Sequence, residues 1–168
     1  CTDQWPVERR SNPNLKPEES TNYELTLVQG FDNQAGALEV SIFRTEYQNL
    51  VDFDTNTFTN INRGSITISG IEPTLKWRFS PAWRAQVGVT ALQISEKDGR
   101  PPLRNRPESK ATAGVVWDID ERSSLFAVAS YTGSFIDRSN PTGDIDMPSY
   151  TSFDMAYSMQ FGWARVKL

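Results

Sequence analysis

Ile71-Glu72-Pro73-Thr74-Leu75-Lys76-Trp77-Arg78-Phe79 sets apolar residues at the odd positions and polar or charged ones at the even positions. Successive side chains of a strand point to opposite faces, so this pattern reads as a β-strand whose two faces meet different surroundings. The same period returns in Leu38-Glu39-Val40-Ser41-Ile42 and along Phe153-Asp154-Met155-Ala156-Tyr157-Ser158-Met159-Gln160-Phe161. Working outward, the spacing predicts strands over 19–30, 36–47, 60–79, 82–95, 107–118, 122–134, 149–161 and 163–168. Pro73 lacks the N–H that an interior strand uses, which predicts a bulge or an altered pairing beside it.

The connections alternate in length. Short ones are expected near 31–35, 80–81, 119–121 and 162, and long ones over 48–59, 96–106 and 135–148. Transmembrane barrels have short turns on one side of the membrane and long loops on the other, an order that Greek-key sandwiches do not keep. Trp77, Trp83, Trp117 and Trp163 all stand beside short connections, with Phe31, Phe79 and Phe161 near the same ends. Amphipathic rings favour the headgroup layer, so these tryptophans are expected to form a membrane-interface belt. The competing reading makes them caps at the ends of a soluble β core. The longest apolar stretch, Ala113-Gly114-Val115-Val116-Trp117, is far below the roughly 18 residues that a membrane helix needs. Strands need only about 9 to 11 residues to cross, and carry a polar residue at every second position.

Composition removes several functions. Seventeen basic against twenty-one acidic residues leave no electrostatic footprint for duplex binding, so nucleic acid is not an expected partner. The chain has no histidine, which excludes a Ser-His-Asp triad, a Cys-His pair and a histidine metal site built from these residues alone. A glycosidase needs two carboxyl groups about 5 to 9 Å apart across a cleft, and no spacing singles out such a pair. The single cysteine, Cys1, has three readings: the cut end of a longer chain, a lipid-modified terminus, or half of a disulfide with an upstream partner.

Several short runs carry a family likeness. Asn12-Pro13-Asn14-Leu15-Lys16-Pro17-Glu18 precedes Ser20 and Tyr23-Glu24-Leu25, and Asn49-Leu50-Val51-Asp52-Phe53-Asp54 follows the next strand. Asn60-Ile61-Asn62, Gly70-Ile71-Glu72, Asn105-Arg106-Pro107 and Tyr150-Thr151-Ser152-Phe153-Asp154 come after them in order. In this arrangement the chain resembles the late barrel strands of TonB-dependent outer-membrane receptors over residues 12 to 168. The resemblance implies an all-β, antiparallel up-and-down meander of about eight strands, a sector of a 22-stranded transmembrane barrel. Residues 1–168 would be part of that barrel domain, with the plug domain and the last two strands outside them. Asn12–Glu18 would be structural rather than ligand-binding, and Gly70 would permit a close backbone approach.

The function so implied is uptake of a ferric siderophore or a cobalamin-like metal chelate across the outer membrane of a Gram-negative bacterium. TonB would drive it through an N-terminal region not among these residues. Outer-membrane lipid and the chelate are the expected partners; neither a cofactor, a resident metal nor an enzymatic activity is implied. Ligand contacts are expected in the outer loops, at Phe53, Arg100, Arg104 and Asp137. Glu39, Arg44, Glu72, Lys76 and Arg78 are expected to face the lumen. Asp137, Asp144 and Asp146 beside Gly143 are a weaker candidate for calcium, since they lack the EF-hand spacing. The competing hypothesis is a lipid-anchored or soluble β-sheet binding module without transport activity, which requires about eight strands closed on themselves around an apolar core.

Overall fold

A computed structural model describes residues 12–54, 57–97, 103–139 and 143–167. Eight strands form one antiparallel sheet: β1 (Glu19–Phe31), β2 (Gly36–Gln48), β5 (Ile66–Ser80), β6 (Trp83–Glu96), β7 (Ser109–Asp118), β8 (Ser123–Thr132), β11 (Tyr150–Phe161) and β12 (Ala164–Lys167). They neighbour one another in chain order, so the sheet is an up-and-down meander. Two small hairpins, β3 (Val51–Asp54) with β4 (Thr59–Asn62) and β9 (Phe135–Ser139) with β10 (Gly143–Met147), stand in the long connections. Those connections were expected to be plain loops. The expected strand 60–79 is divided: β4 ends at Asn62, and Arg63-Gly64-Ser65 leave the ladder before β5 begins at Ile66.

Paired residues share a face, so the register sorts the sheet into two sides. Leu25, Ile42, Ile71, Ala91, Ala111, Tyr131 and Thr151 mark one side across seven strands. Leu25 and Leu27 are 67% and 68% exposed there, and Phe153 and Met155 reach 79% and 73%. Among the described residues Ile66 is the one large hydrophobic side chain that is fully buried. Among the described residues the sheet does not close: β1 and β12 are its two edges. A soluble module would have turned the apolar side inward against itself, and this sheet presents it outward instead.

The opposite side is polar and hydrogen-bonded across strands. Thr26 Oγ1 lies 2.7 Å from Ser41 Oγ, Thr45 Oγ1 donates to Asn22 Oδ1 at 2.7 Å, and Thr90 Oγ1 donates to Glu72 Oε1 at 3.1 Å. Glu39 is paired with Thr74, which places it on the side of Glu72 and Lys76. Arg44 is not on that side. It pairs with Tyr23, in step with Leu25, and its guanidinium meets Glu46 at 2.7 Å. The parity of β2 decides this: Arg44 belongs with Leu38, Val40 and Ile42, near the outer end of the strand.

Pro73 does not shift the register. The β5–β6 ladder skips Glu72 and Pro73, then resumes in step, Ile71 opposite Ala91 and Thr74 opposite Gly88. The missing N–H therefore costs ladder contact without inserting a residue. The irregularity lies further along, between Trp77 and Ser80, where the strand meets its short turn. Gly70 does serve a close approach: a Cβ there would lie 2.7 Å from the Ala91 carbonyl oxygen and 2.7 Å from the Phe43 ring.

Short connections hold the other end of the sheet. Asp120 Oδ1 accepts the backbone N–H groups of Arg122 and Ser123 at 2.8 and 2.7 Å, closing the β7–β8 turn. The first of these bonds is the main reason that the Asp120 carboxyl ionises below its ordinary range. On the apolar side of this end, rings of Phe31, Trp77, Phe79, Trp83 and Trp117 form a row with centroids 6.0, 5.5, 6.2 and 5.2 Å apart. Gly36 stands between Phe31 and Trp77 in the register, and its missing side chain lets the two rings meet across β2. Trp77 Nε1 also donates to Asp32 Oδ2 at 3.0 Å, tying the row to the β1–β2 turn. Trp163 is at the same end, wholly exposed and outside the row.

Gly70→Ala is expected to destabilise the folded barrel by about 1–3 kcal/mol, because the methyl group meets the Ala91 backbone carbonyl as well as the Phe43 ring, and moving the ring alone does not relieve it. Denaturant unfolding of the full-length protein in detergent, followed by tryptophan fluorescence, checks this. A midpoint equal to that of the unaltered protein would show that the strands have room there.

Candidate functional site

The long-connection end gathers the side chains that the sheet does not need for its own pairing. Its foundation is the run Asn12–Glu18. Lys16 N donates to Asn62 Oδ1 at 2.8 Å, and Asn62 Nδ2 donates to the carbonyl oxygens of Lys16 and Asn49 at 3.0 and 2.7 Å. Asn12 Nδ2 reaches Asn60 O at 2.9 Å, and Glu18 Oε2 accepts Val51 N at 3.1 Å. Three of the runs that marked the family likeness are thus one hydrogen-bonded unit. Asn62 uses both ends of its amide, which neither Asp nor Leu of similar size reproduces.

Charge organises the rest of the rim. Arg63, with its side chain 4% exposed, donates Nε to Asp52 Oδ2 at 2.6 Å and Nη1 to Glu96 Oε2 at 2.9 Å. Glu96 Oε1 accepts Leu103 N at 2.9 Å. The next residue, Arg104, meets both carboxylate oxygens of Asp144 on β10, at 2.6 and 3.2 Å. That bond, with the nearby charges of Asp52 and Asp54, raises the pKa of a guanidinium that is already always charged. Asn105, at φ 57°, takes the left-handed conformation that asparagine tolerates, and donates its N–H to Ile136 O at 2.8 Å.

Below these contacts lies a cleft of about 680 Å³ between the 103–109 segment and the β9–β10 hairpin. Ile94, Leu103, Phe135 and Ile136 give it an apolar floor, and Glu96, Arg106, Glu108 and Asp146 a charged margin. Phe53 is half-buried on β3 and is not among the residues that line this cleft. Asp137 is on β9 opposite Ile145. Arg104 is drawn into its ion pair, and Arg100 lies outside the described residues. Alternation puts Asp137 on the other face of its hairpin from Asp144 and Asp146, so the three carboxylates do not converge. The described residues hold no group of three or more candidate metal ligands. Sequence reasoning missed Arg63 and Glu96, because nothing local marks an arginine whose two partners are 11 and 33 residues away.

On the polar side near the short turns, a second hollow of about 670 Å³ is lined by Lys76, Arg78, Arg84, Gln86, Val116 and Phe126, among others. Arg84 Nη2 lies 2.9 Å from both oxygens of Asp118, while its buried Nε has no hydrogen-bond partner among the described residues. The expected lumen residues Lys76 and Arg78 are brought together here, with Glu39 and Glu72 farther along the same side.

An open sheet with one apolar side, one polar side, ring-lined short turns and elaborate long loops is the wall of a transmembrane barrel. The model of the family described as TonB dependent receptor-like, beta-barrel matches residues 3–168. The chain belongs to that family. Its structure is similar to the ferric-catecholate import receptor Fiu from E. coli K12 in its closed form, with TM-score 0.68 and 21% identity over 90% of this chain and 22% of that one. It is also similar to the copper transporter OprC, with TM-score 0.75 and 15% identity over 92% and 25%. The third is the ferric yersiniabactin uptake receptor FyuA from Yersinia pestis, with TM-score 0.69 and 19% identity over 85% and 22%. No curated protein sequence matches the chain. The chain spans between a fifth and a quarter of the length of these solved receptors.

Membership in the TonB-dependent receptor barrel family places the chain in the bacterial outer membrane. It also accounts for the edges at β1 and β12 and for the scarcity of buried apolar side chains among the described residues: the sheet is a barrel sector. Asn62→Leu is expected to cost about 1–3 kcal/mol, from stranded backbone groups at Lys16 and Asn49. Limited proteolysis of the folded receptor checks it: cleavage within 12–18 should rise while the barrel stays intact. Unchanged cleavage there would mean the run is held by other contacts.

Proposed function

We propose that these residues form part of the wall and outer rim of a receptor that takes up a metal chelate, of the ferric-siderophore or cobalamin-like class, across the outer membrane. The observation that carries this reading is the two-sided sheet crowned, at its long-loop end, by a charged and partly apolar cleft. The solved relatives are named as importers of a ferric catecholate and of ferric yersiniabactin and as a copper transporter, which favours a metal-bearing cargo over a purely organic one.

In this reading the apolar side meets lipid, and Trp77, Trp83, Trp117 and Trp163 make the belt at the periplasmic interface. Glu39, Glu72, Lys76 and Arg78 face the lumen. Phe53 supplies an apolar contact for the chelate and Asp137 a hydrogen-bond acceptor, Arg104 holds the rim in place, and Arg100 is a further contact. An anionic chelate would be drawn by the summed field of the loop arginines before contact, an effect that weakens with salt. Energy would reach the barrel through TonB, acting on another part of the longer protein.

The test is accumulation of radiolabelled chelates by iron-starved Gram-negative cells that express the full-length receptor. Ferric catecholates, ferric hydroxamates, cobalamin and cupric chelates make the panel. Uptake of at least one, abolished when TonB is deleted, is the expected result. Correctly folded receptor that accumulates none of them above cells lacking it would contradict the proposal.

A further inference from the structure

We propose that Arg63 is a positioning residue that fixes three outer loops as one body. Displacement of any of them is thereby transmitted to the others. The inference rests on the reading that the rim meets the ligand, but its test does not depend on transport.

Arg63 is the point from which the connections run. Its backbone N–H is bonded to Leu50 O at 2.7 Å, so the residue is anchored to the base of the β3–β4 hairpin. Its guanidinium bridges Asp52 on that hairpin and Glu96 at the end of β6, whose side chain is 12% exposed. Glu96 spends its second oxygen on Leu103 N, and the following residues, Arg104 and Asn105, hold both strands of the β9–β10 hairpin. The path from Asp52 to Asp144 runs through charge-assisted and backbone hydrogen bonds, with the Leu103–Arg104 peptide link as its one covalent step.

The guanidinium is suited to this place because its planar set of donors serves two carboxylates at fixed angles, which the point charge of a lysine does not. Water is almost excluded from Arg63 and Glu96, and partly from Asp52, whose side chain is 29% exposed. Without Arg63, the poorly hydrated Glu96 carboxylate would be left near the like charge of Asp52, and the two would separate so that Glu96 regains water. Separation carries Glu96, and with it Leu103, away from the β3–β4 hairpin. The Arg104–Asp144 pair is more exposed, at 20% and 35%, and stands at the far end of the series, so its loss affects one hairpin. Glu96 and Leu103 also line the cleft beside Phe135 and Ile136, so the device sets the width of the cleft.

Hydrogen exchange of the full-length receptor in lipid nanodiscs, without ligand, tests the coupling. Arg63→Gln is expected to raise exchange about tenfold or more in 51–62, 103–108 and also 135–139 and 143–147, which lie at the far end of the series beyond Glu96 and Leu103. Arg104→Gln should raise it in the β9–β10 hairpin and leave 51–62 unchanged, and Arg63→Lys should restore only part of the protection. If Arg63→Gln does not reach the membrane, Glu96→Ala, which leaves the Arg63–Asp52 pair intact, should still loosen the β9–β10 hairpin. A response confined to 51–62 for Arg63→Gln, or no response in the β9–β10 hairpin for Glu96→Ala, would overturn the proposal. Failure of uptake with this exchange pattern intact would count against the transport reading alone.

Discussion

A strand that crosses hydrocarbon must satisfy its whole backbone through its neighbours, because lipid offers neither donors nor acceptors. The rest of this structure follows from that constraint. It requires long, continuous, in-register ladders, and it makes every second side chain face lipid. It also leaves the intervening side chains free to be polar. The sheet meets these requirements with long strands of 10 to 15 residues from β1 to β11. Even Pro73 is accommodated by skipping contacts rather than by slipping the register. A one-residue slip would turn Glu72, Lys76 and their neighbours onto the apolar side, so the two-sided pattern specifies the register strongly.

Burial means something different here from what it means in a soluble domain. The apolar side chains are exposed on one side of the sector, and the polar side is held by hydroxyl and carboxylate contacts between strands. The side chains that are nearly sealed from solvent include Ile66 and Arg63, both at the outer end where the strands give way to loops. Order at that end comes from ion pairs and asparagine amides instead of a hydrophobic core. The row of rings marks the opposite end, and Gly36 shows how a residue without a side chain serves it.

The strands were legible in the sequence because period-2 alternation is local and repeated. Short turns were legible because they interrupt it. What escaped reading was non-local. The β3–β4 and β9–β10 hairpins lie in segments whose alternation spans only four or five residues, too few to distinguish a strand from a polar loop. Arg44 was assigned by charge rather than by its parity with Leu38 and Ile42, and the register reverses it. Arg63 fell within the expected strand 60–79 with nothing local to single it out, since Asp52 and Glu96 approach it only after β5 and β6 are paired. The runs at Asn12, Asn49 and Asn60 were recognised as markers, but their reason, a shared set of hydrogen bonds around Asn62, required the fold.

The expectation that follows for the folded receptor is that one side of this sheet faces lipid and the other does not. It is tested most directly by single cysteines along β6 of the full-length receptor in a Cys1→Ser background. Each would carry an environment-sensitive fluorophore in bilayers that contain brominated lipid. Val87→Cys, Val89→Cys and Ala91→Cys should be quenched strongly, and Gln86→Cys, Gly88→Cys and Thr90→Cys weakly, in strict alternation. Quenching that varies smoothly with depth, with no difference between odd and even positions, would contradict the account.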